Sequence, residues 1–149
     1  MCSAPSVAEA VGAYLAEADA CVNALLGIEP AGVSPGRASC RLTVSERHLN
    51  SHRICHGGIV FALADAAIAY ASCSTNRSGV TLAVTVSFLR PARLGNVLTA
   101  NAEVQADGRR TSTATARVTD QDGQLIALLQ GTSLRFEEPV LPNSPMATR

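Results

Sequence analysis

Residues 56–74 read HGGIVFALADAAIAYASCS. The run is apolar apart from Asp65, the one fully charged side chain between His56 and Arg77. Ala, Leu and Ile predominate, which predicts a buried helix from Gly57 to about Ser74. Polar ends and a central acid argue against a membrane span. A buried helix needs a cover, and the nature of that cover decides the fold.

Downstream the pattern changes to period two. In residues 80–88, VTLAVTVSF, Val80, Leu82, Val84, Val86 and Phe88 share one face, and Thr81, Ala83, Thr85 and Ser87 share the other. Residues 97–104 repeat the habit with Leu98, Ala100, Ala102 and Val104. Two further strands follow, and Asp107-Gly108 and Asp122-Gly123 mark hairpin turns. Four consecutive strands predict an antiparallel meander with one apolar face. The reading is α+β: a curved antiparallel β-sheet wrapped around a central α-helix. Upstream, residues 7–26 read as helix and 27–36 as a turn or irregular edge strand. Residues 37–44 read as strand and 45–58 as a polar loop.

The 149 residues suit one domain with one core. Residues 1–17 are expected to be an N-terminal helical extension and 18–136 the sheet-and-helix domain. Residues 137–149, with three prolines, are expected to be a disordered tail. Twelve basic and twelve acidic residues leave no net charge, which argues against nucleic acid or an anionic membrane as partner. Scarce aromatics and the absence of Trp weaken a base-stacking role. Five cysteines, widely spaced and odd in number, read as reduced thiols. The N-terminal segment has no basic region of a signal peptide, so a cytoplasmic location is expected.

Two features carry chemistry. A helix N-terminus has free N–H groups and partial positive charge, and glycines there let a ligand approach the backbone. Gly57 and Gly58 therefore suit a carbonyl that is becoming an oxyanion, though glycines also serve tight turns and close packing. Asp65 is a lone acid in an apolar helix, a locally costly choice that marks functional sites or buried ion pairs. Gly58 and Asp65 are seven residues apart, which is about 10 Å along a helix. One chain cannot easily bring the two together. A second, antiparallel copy of the helix can, so the chemistry predicts a two-fold dimer with sites across the interface.

These residues resemble a known family. "NSHRICHGGIVFALADAAIAYA" followed by "VSFLRPARLGN" is similar to the hotdog-fold thioesterases, in particular the phenylacetate-degradation type of acyl-CoA thioesterase. The likeness spans about residues 18–135. It implies a hotdog fold, an acyl-CoA substrate (aryl, arylacetyl or medium-chain), no metal or other cofactor, and a homodimer that pairs into a homotetramer. Residue by residue, it makes Asp65 the base or nucleophile, with the Gly57 amide, helped by Gly58, polarising the thioester carbonyl. Asn50 becomes a loop amide near the attacking group, His56 a loop-shaping contact, and Thr81 a hydroxyl that orients water. The family's Asn after the helix is replaced by Ser72-Cys73-Ser74, and an acid or amide by Ser87, which leaves the acyl preference open. Arg90, Arg93, Arg109 and Arg110 suit coenzyme A phosphates, or simply solvated strand ends.

Four other readings compete. His48, His52, Cys55 and His56 suggest a metal site, and Cys55 beside His56 a nucleophile. A hotdog dehydratase or hydratase would need a histidine base, and no His follows His56. A non-catalytic acyl-CoA binder would have little use for Asp65.

Overall fold

The computed structural model of the protein describes residues 4–143. Ser6 caps the first helix, α1 (Val7–Ala18), in a reciprocal box. Its hydroxyl accepts from the Glu9 N–H, and Glu9 reaches back to the Ser6 N–H at 2.7 Å. The helix expected over residues 7–26 breaks at Asp19, and α2 (Ala20–Leu26) follows. The break lets Asp19 and Asn23 meet the Tyr70 hydroxyl, at 3.4 and 3.1 Å. Burial pushes that phenol up to about 12, so it stays a neutral hydrogen-bonding group.

Strand β1 (Ile28–Ser34) is an irregular edge with a bulge between Pro30 and Gly32. It pairs with β2 (Arg37–Thr43). A 3₁₀ turn over Glu46–His48 opens the long loop that leads to α3 (Gly57–Cys73). Four longer strands complete the sheet: β3 (Gly79–Phe88), β4 (Val97–Asp107), β5 (Thr111–Thr119) and β6 (Leu125–Arg135). The six strands form one antiparallel sheet in the order β1-β2-β4-β5-β6-β3, curled around α3 in the hotdog arrangement.

The topology corrects the simple meander. β4, β5 and β6 are consecutive neighbours, but β3 lies at the far edge beside β6, and β4 pairs with β2. The reason is the connection. β4 and β5 meet at the Asp107-Gly108 turn, and β5 and β6 at a turn closed by Asp120 Oδ1, which accepts from the Asp122 and Gln124 N–H groups. Between β3 and β4 stand eight residues with Pro91, long enough to cross the end of the sheet.

The alternation expected in β3 also fails. The register shifts between Thr81 and Ala83, so Leu82 is an extra residue. Thr81 therefore shares the inner side with Val84 and Val86, while Val80 and Leu82 are 49 % and 60 % exposed.

The core lies between α3 and the sheet, with Leu42, Leu63, Ile68, Leu98 and Val118 fully covered. α3 packs chiefly on β2, β4 and β5 and stands further from β3 and β6. Its opposite face is a half-buried stripe of Phe61, Ala62, Ala66 and Ala69 with Asp65 in the middle.

Residues 137–143 of the expected tail are among the described residues. Val140 packs with Val11 and Cys73, and Asn76, buried at φ 62°, accepts from the Leu141 N–H at 2.7 Å. Residues 144–149 of the expected tail lie outside the described residues.

Candidate active site

Two cavities open between α3 and the sheet. The first, about 460 Å³, lies at the N-terminus of α3 and is lined by Asn50, Cys55, Gly57, Phe88, Arg90 and Ile126, among others. The second, about 270 Å³, lies toward the C-terminus and is lined by Asp65, Ala69, Ser72, Thr81, Ser133 and Arg135, among others. Asn50 and Gly57 are thus together in one cavity, and Asp65 and Thr81 in the other. A larger hollow of about 520 Å³, lined by Ser34, Arg37, Asn101 and Arg117, holds none of the expected site residues.

Asp65 is half buried, and it has no ion-pair partner among the described residues. Thr81 donates its hydroxyl proton to Asp65 Oδ1 at 3.1 Å. Burial raises the carboxyl above its ordinary value, and the Thr81 bond opposes part of that rise. One carboxylate oxygen is fixed in place while the other remains free to act.

His56 is the N-cap of α3, and its Nδ1 accepts from the Gly58 N–H at 2.9 Å. In that bond Nδ1 is the acceptor, which sets the orientation of the ring over the helix start. The Gly58 amide is therefore hydrogen-bonded within the chain. The Gly57 N–H has no partner among the described residues, and Gly57 lines the first cavity. A Cβ at either glycine would be a tight contact that the neighbouring side chain has to relieve. A Cβ on Gly57 would lie 3.0 Å from Phe88 Cζ, and one on Gly58 would lie 3.1 Å from His56 Nδ1.

Asn50 organises the loop before α3. Its Oδ1 accepts from the His52 N–H at 2.9 Å, and its backbone N–H donates to Ile54 O at 2.9 Å. This leaves the Nδ2 donor facing no partner among the described residues. Arg53 sits inside the turn at φ 60°. Deeper in the loop, the buried His48 accepts from the Ser45 N–H through Nδ1, and its carbonyl accepts from His56 N–H at 2.8 Å.

The arginines divide between the two ends. Arg90 stands at the first cavity with Nη1 donating to Leu125 O. Arg109 and Arg110 are exposed on the β4–β5 hairpin at the opposite end, so one chain does not gather the three. Arg93 lies near Arg90, beside Asp120 and Asp122.

Cys55 is buried, and desolvation pushes its thiol up to about 11, which disfavours the thiolate that nucleophilic attack needs. Among the described residues no three His, Cys, Asp or Glu side chains are grouped to hold a metal ion. No helix among them is long and apolar enough to cross a membrane.

The sequence reading missed Ser133 and Arg135. Arg135 is buried, with Nη2 2.7 Å from Asp107 Oδ1 and Nη1 2.6 Å from the Ser72 carbonyl, so it ties β6 to the end of α3. Asp107 is shared with Arg77 at 3.1 Å. The signal was present in GTSLR, where a period-two reading puts a charged residue on the inner face.

The family model of the thioesterase superfamily matches residues 52–127, which hold α3 with Asp65, and Thr81. The chain belongs to the thioesterase superfamily. This thioesterase is 41 % identical to the acyl-coenzyme A thioesterase PaaI of Escherichia coli over 120 residues, 80 % of this chain and 85 % of that one. The solved structure of E. coli PaaI, from the phenylacetic acid degradation operon, superposes with a TM-score of 0.84 at 38 % identity. That match covers 87 % of this chain and 94 % of the other. A hypothetical thioesterase of Streptococcus pneumoniae, solved with coenzyme A, matches at TM-score 0.71 and 27 % identity over 73 % of this chain and 85 % of its own. Asp-to-Ala and Thr-to-Ala mutants of that protein have also been solved, at positions 16 residues apart.

Proposed function

We propose that this thioesterase hydrolyses acyl-CoA to a free acid and coenzyme A, with Asp65 as general base. One observation carries the reading: a carboxylate held by Thr81 and an unpaired Gly57 N–H occupy adjacent but separate cavities on the same helix. In this reading two chains meet with their α3 helices antiparallel, so each Asp65 faces the Gly57 of the other chain. The half-buried stripe around Asp65 supplies an apolar contact surface. So do the exposed Val80, Leu82 and Phe88 of the edge strand β3.

The chemistry follows from the parts. The Gly57 N–H polarises the thioester carbonyl and stabilises the oxyanion. Asp65 takes a proton from water as the water oxygen bonds to the carbonyl carbon. The C–S bond then breaks, the electron pair leaves with sulfur, and the proton on Asp65 neutralises the thiolate. His56 fixes the entry turn, and Asn50 offers its Nδ2 to the substrate.

Several features support acyl-CoA as substrate. The E. coli relative carries that activity in its name, and the S. pneumoniae relative binds coenzyme A. The 16-residue spacing of its mutated Asp and Thr equals that from Asp65 to Thr81. Arg90 lies at the first cavity, and an antiparallel partner brings its own β4–β5 hairpin, with Arg109 and Arg110, to that end. Phosphate contacts divided between subunits follow. Aryl or arylacetyl groups are the preferred acyl class and medium-chain acyl groups the second. Two such dimers form a homotetramer in the cytoplasm.

Subunit mixing tests the shared site. Asp65→Asn and Gly57→Val homo-oligomers should each be nearly inactive. Co-refolded at equal amounts, they should regain about a quarter of wild-type thiol release, since each mixed dimer rebuilds one site. No regain would show that the two residues act within one chain.

A further inference from the structure

The inner face of the sheet changes character along its length. Beside the first half of α3 it presents Val86, Val118, Ala127 and Leu129. Beside the second half it presents Thr81, Ser112, Ser133 and Arg135. Ser133 pairs directly with Thr81 on β3 and with Ser112 on β5, so three hydroxyl residues stand in one row across three strands. Buried hydroxyls ordinarily find partners. Ser112 Oγ and Ser72 Oγ are buried without one among the described residues. Ser133 is 4 % exposed and lines the cavity with Asp65 and Thr81, and its hydroxyl makes no hydrogen bond among the described residues.

We propose that Ser133 is a positioning residue for the hydrolytic water. This rests on the thioesterase mechanism above and concerns how that mechanism obtains an oriented nucleophile. The Thr81 proton is spent on Asp65, so Thr81 can only accept from a water. Asp65 as a base also only accepts. A water held by these two alone gives up both protons and receives none, which leaves its lone pairs undirected. Ser133 supplies the missing donor. The water then donates to Asp65, accepts from Ser133, and keeps one lone pair for the carbonyl carbon. Side chains directly opposite on neighbouring strands have Cβ atoms about 5 Å apart, a span that one bridging water fits. Ser133 keeps its own proton throughout, and the proton lost from water goes to Asp65.

The test compares wild type, Ser133→Ala and Ser133→Thr by thiol release from two acyl-CoAs, one with a plain acyl group and one bearing a hydroxyl. Ser133→Ala should lower kcat about tenfold on both, with KM within about twofold and an unchanged melting temperature. Ser133→Thr should restore much of kcat. Normal kcat in Ser133→Ala would overturn the proposal. So would a loss confined to KM or to the hydroxyl-bearing substrate, which would make Ser133 a contact for the acyl group. If wild type releases no thiol from either substrate, the thioesterase function fails first and this inference with it.

Discussion

Thr81 holds Asp65 by a 3.1 Å hydrogen bond across the gap between β3 and α3. The bond exists because Leu82 is an extra residue in an otherwise alternating strand. A regular strand with Val84 and Val86 inward would turn Thr81 to the outer face, where its hydroxyl could not reach the helix.

Asp65→Asn keeps the shape and the Thr81 contact but removes the base. In steady-state thiol release, kcat should fall by about 10³-fold while KM stays near wild type. Thermal melting at pH 7 should show no loss of stability, because the substitution removes a carboxylate whose ionised form is desolvated.

The pH dependence follows from the same group. Burial raises the Asp65 carboxyl above its ordinary value, so activity should vanish on acidification through a pH above the usual aspartate range. Thr81→Val removes the bond that opposes the rise. Its acidic limb in kcat against pH should therefore move upward, with a lower plateau. For stability the sign is the reverse of a salt-bridged acid. The folded state binds this proton more tightly, so the group's contribution is greatest below the unfolded value and is lost as pH rises through the folded one.

Gly57→Ala places a methyl group 3.0 Å from Phe88 Cζ. The ring must give way, and the turn that carries the Gly57 amide must move with it. A loss in kcat/KM of about 10- to 100-fold is expected. Partial recovery in a Gly57→Ala, Phe88→Leu double variant would identify the clash as the cause.

Asp107→Ala removes the counter-charge of Arg135, which remains buried against the Ser72 carbonyl. Because Asp107 is itself partly exposed, the cost should be about 2 kcal/mol, the low side for a broken buried pair. Calorimetry should show a melting temperature about 6 °C lower. An unchanged value would mean that Arg77 and the carbonyls suffice to hold the α3 terminus.

The central helix and most strands were legible because their periodicities are set by burial, and α3 begins and ends within a residue of the reading. The candidate site stands out in the sequence because a lone acid and paired glycines are unusual in an apolar run. Three things were not legible. The place of β3 depended on the absence of a tight turn between Phe88 and Val97, and a missing signal is easy to overlook. The inward turn of Thr81 depended on a bulge, which sequence alternation averages away. Ser133 and Arg135 were hidden because their roles come from neighbours distant in the chain: Thr81 for one, Asp107 for the other.

The small cluster of Val11, Cys73 and Val140 lies behind the cavity that holds Asp65, since Cys73 belongs to both. The last strand is therefore not the edge of the working unit. A truncation or fusion junction placed directly after Arg135 would strip the cover from a thiol at the back of the cavity that holds Asp65. The resulting protein would keep its sheet yet offer Cys73 to oxidants, so expression designs should retain the chain through Leu141.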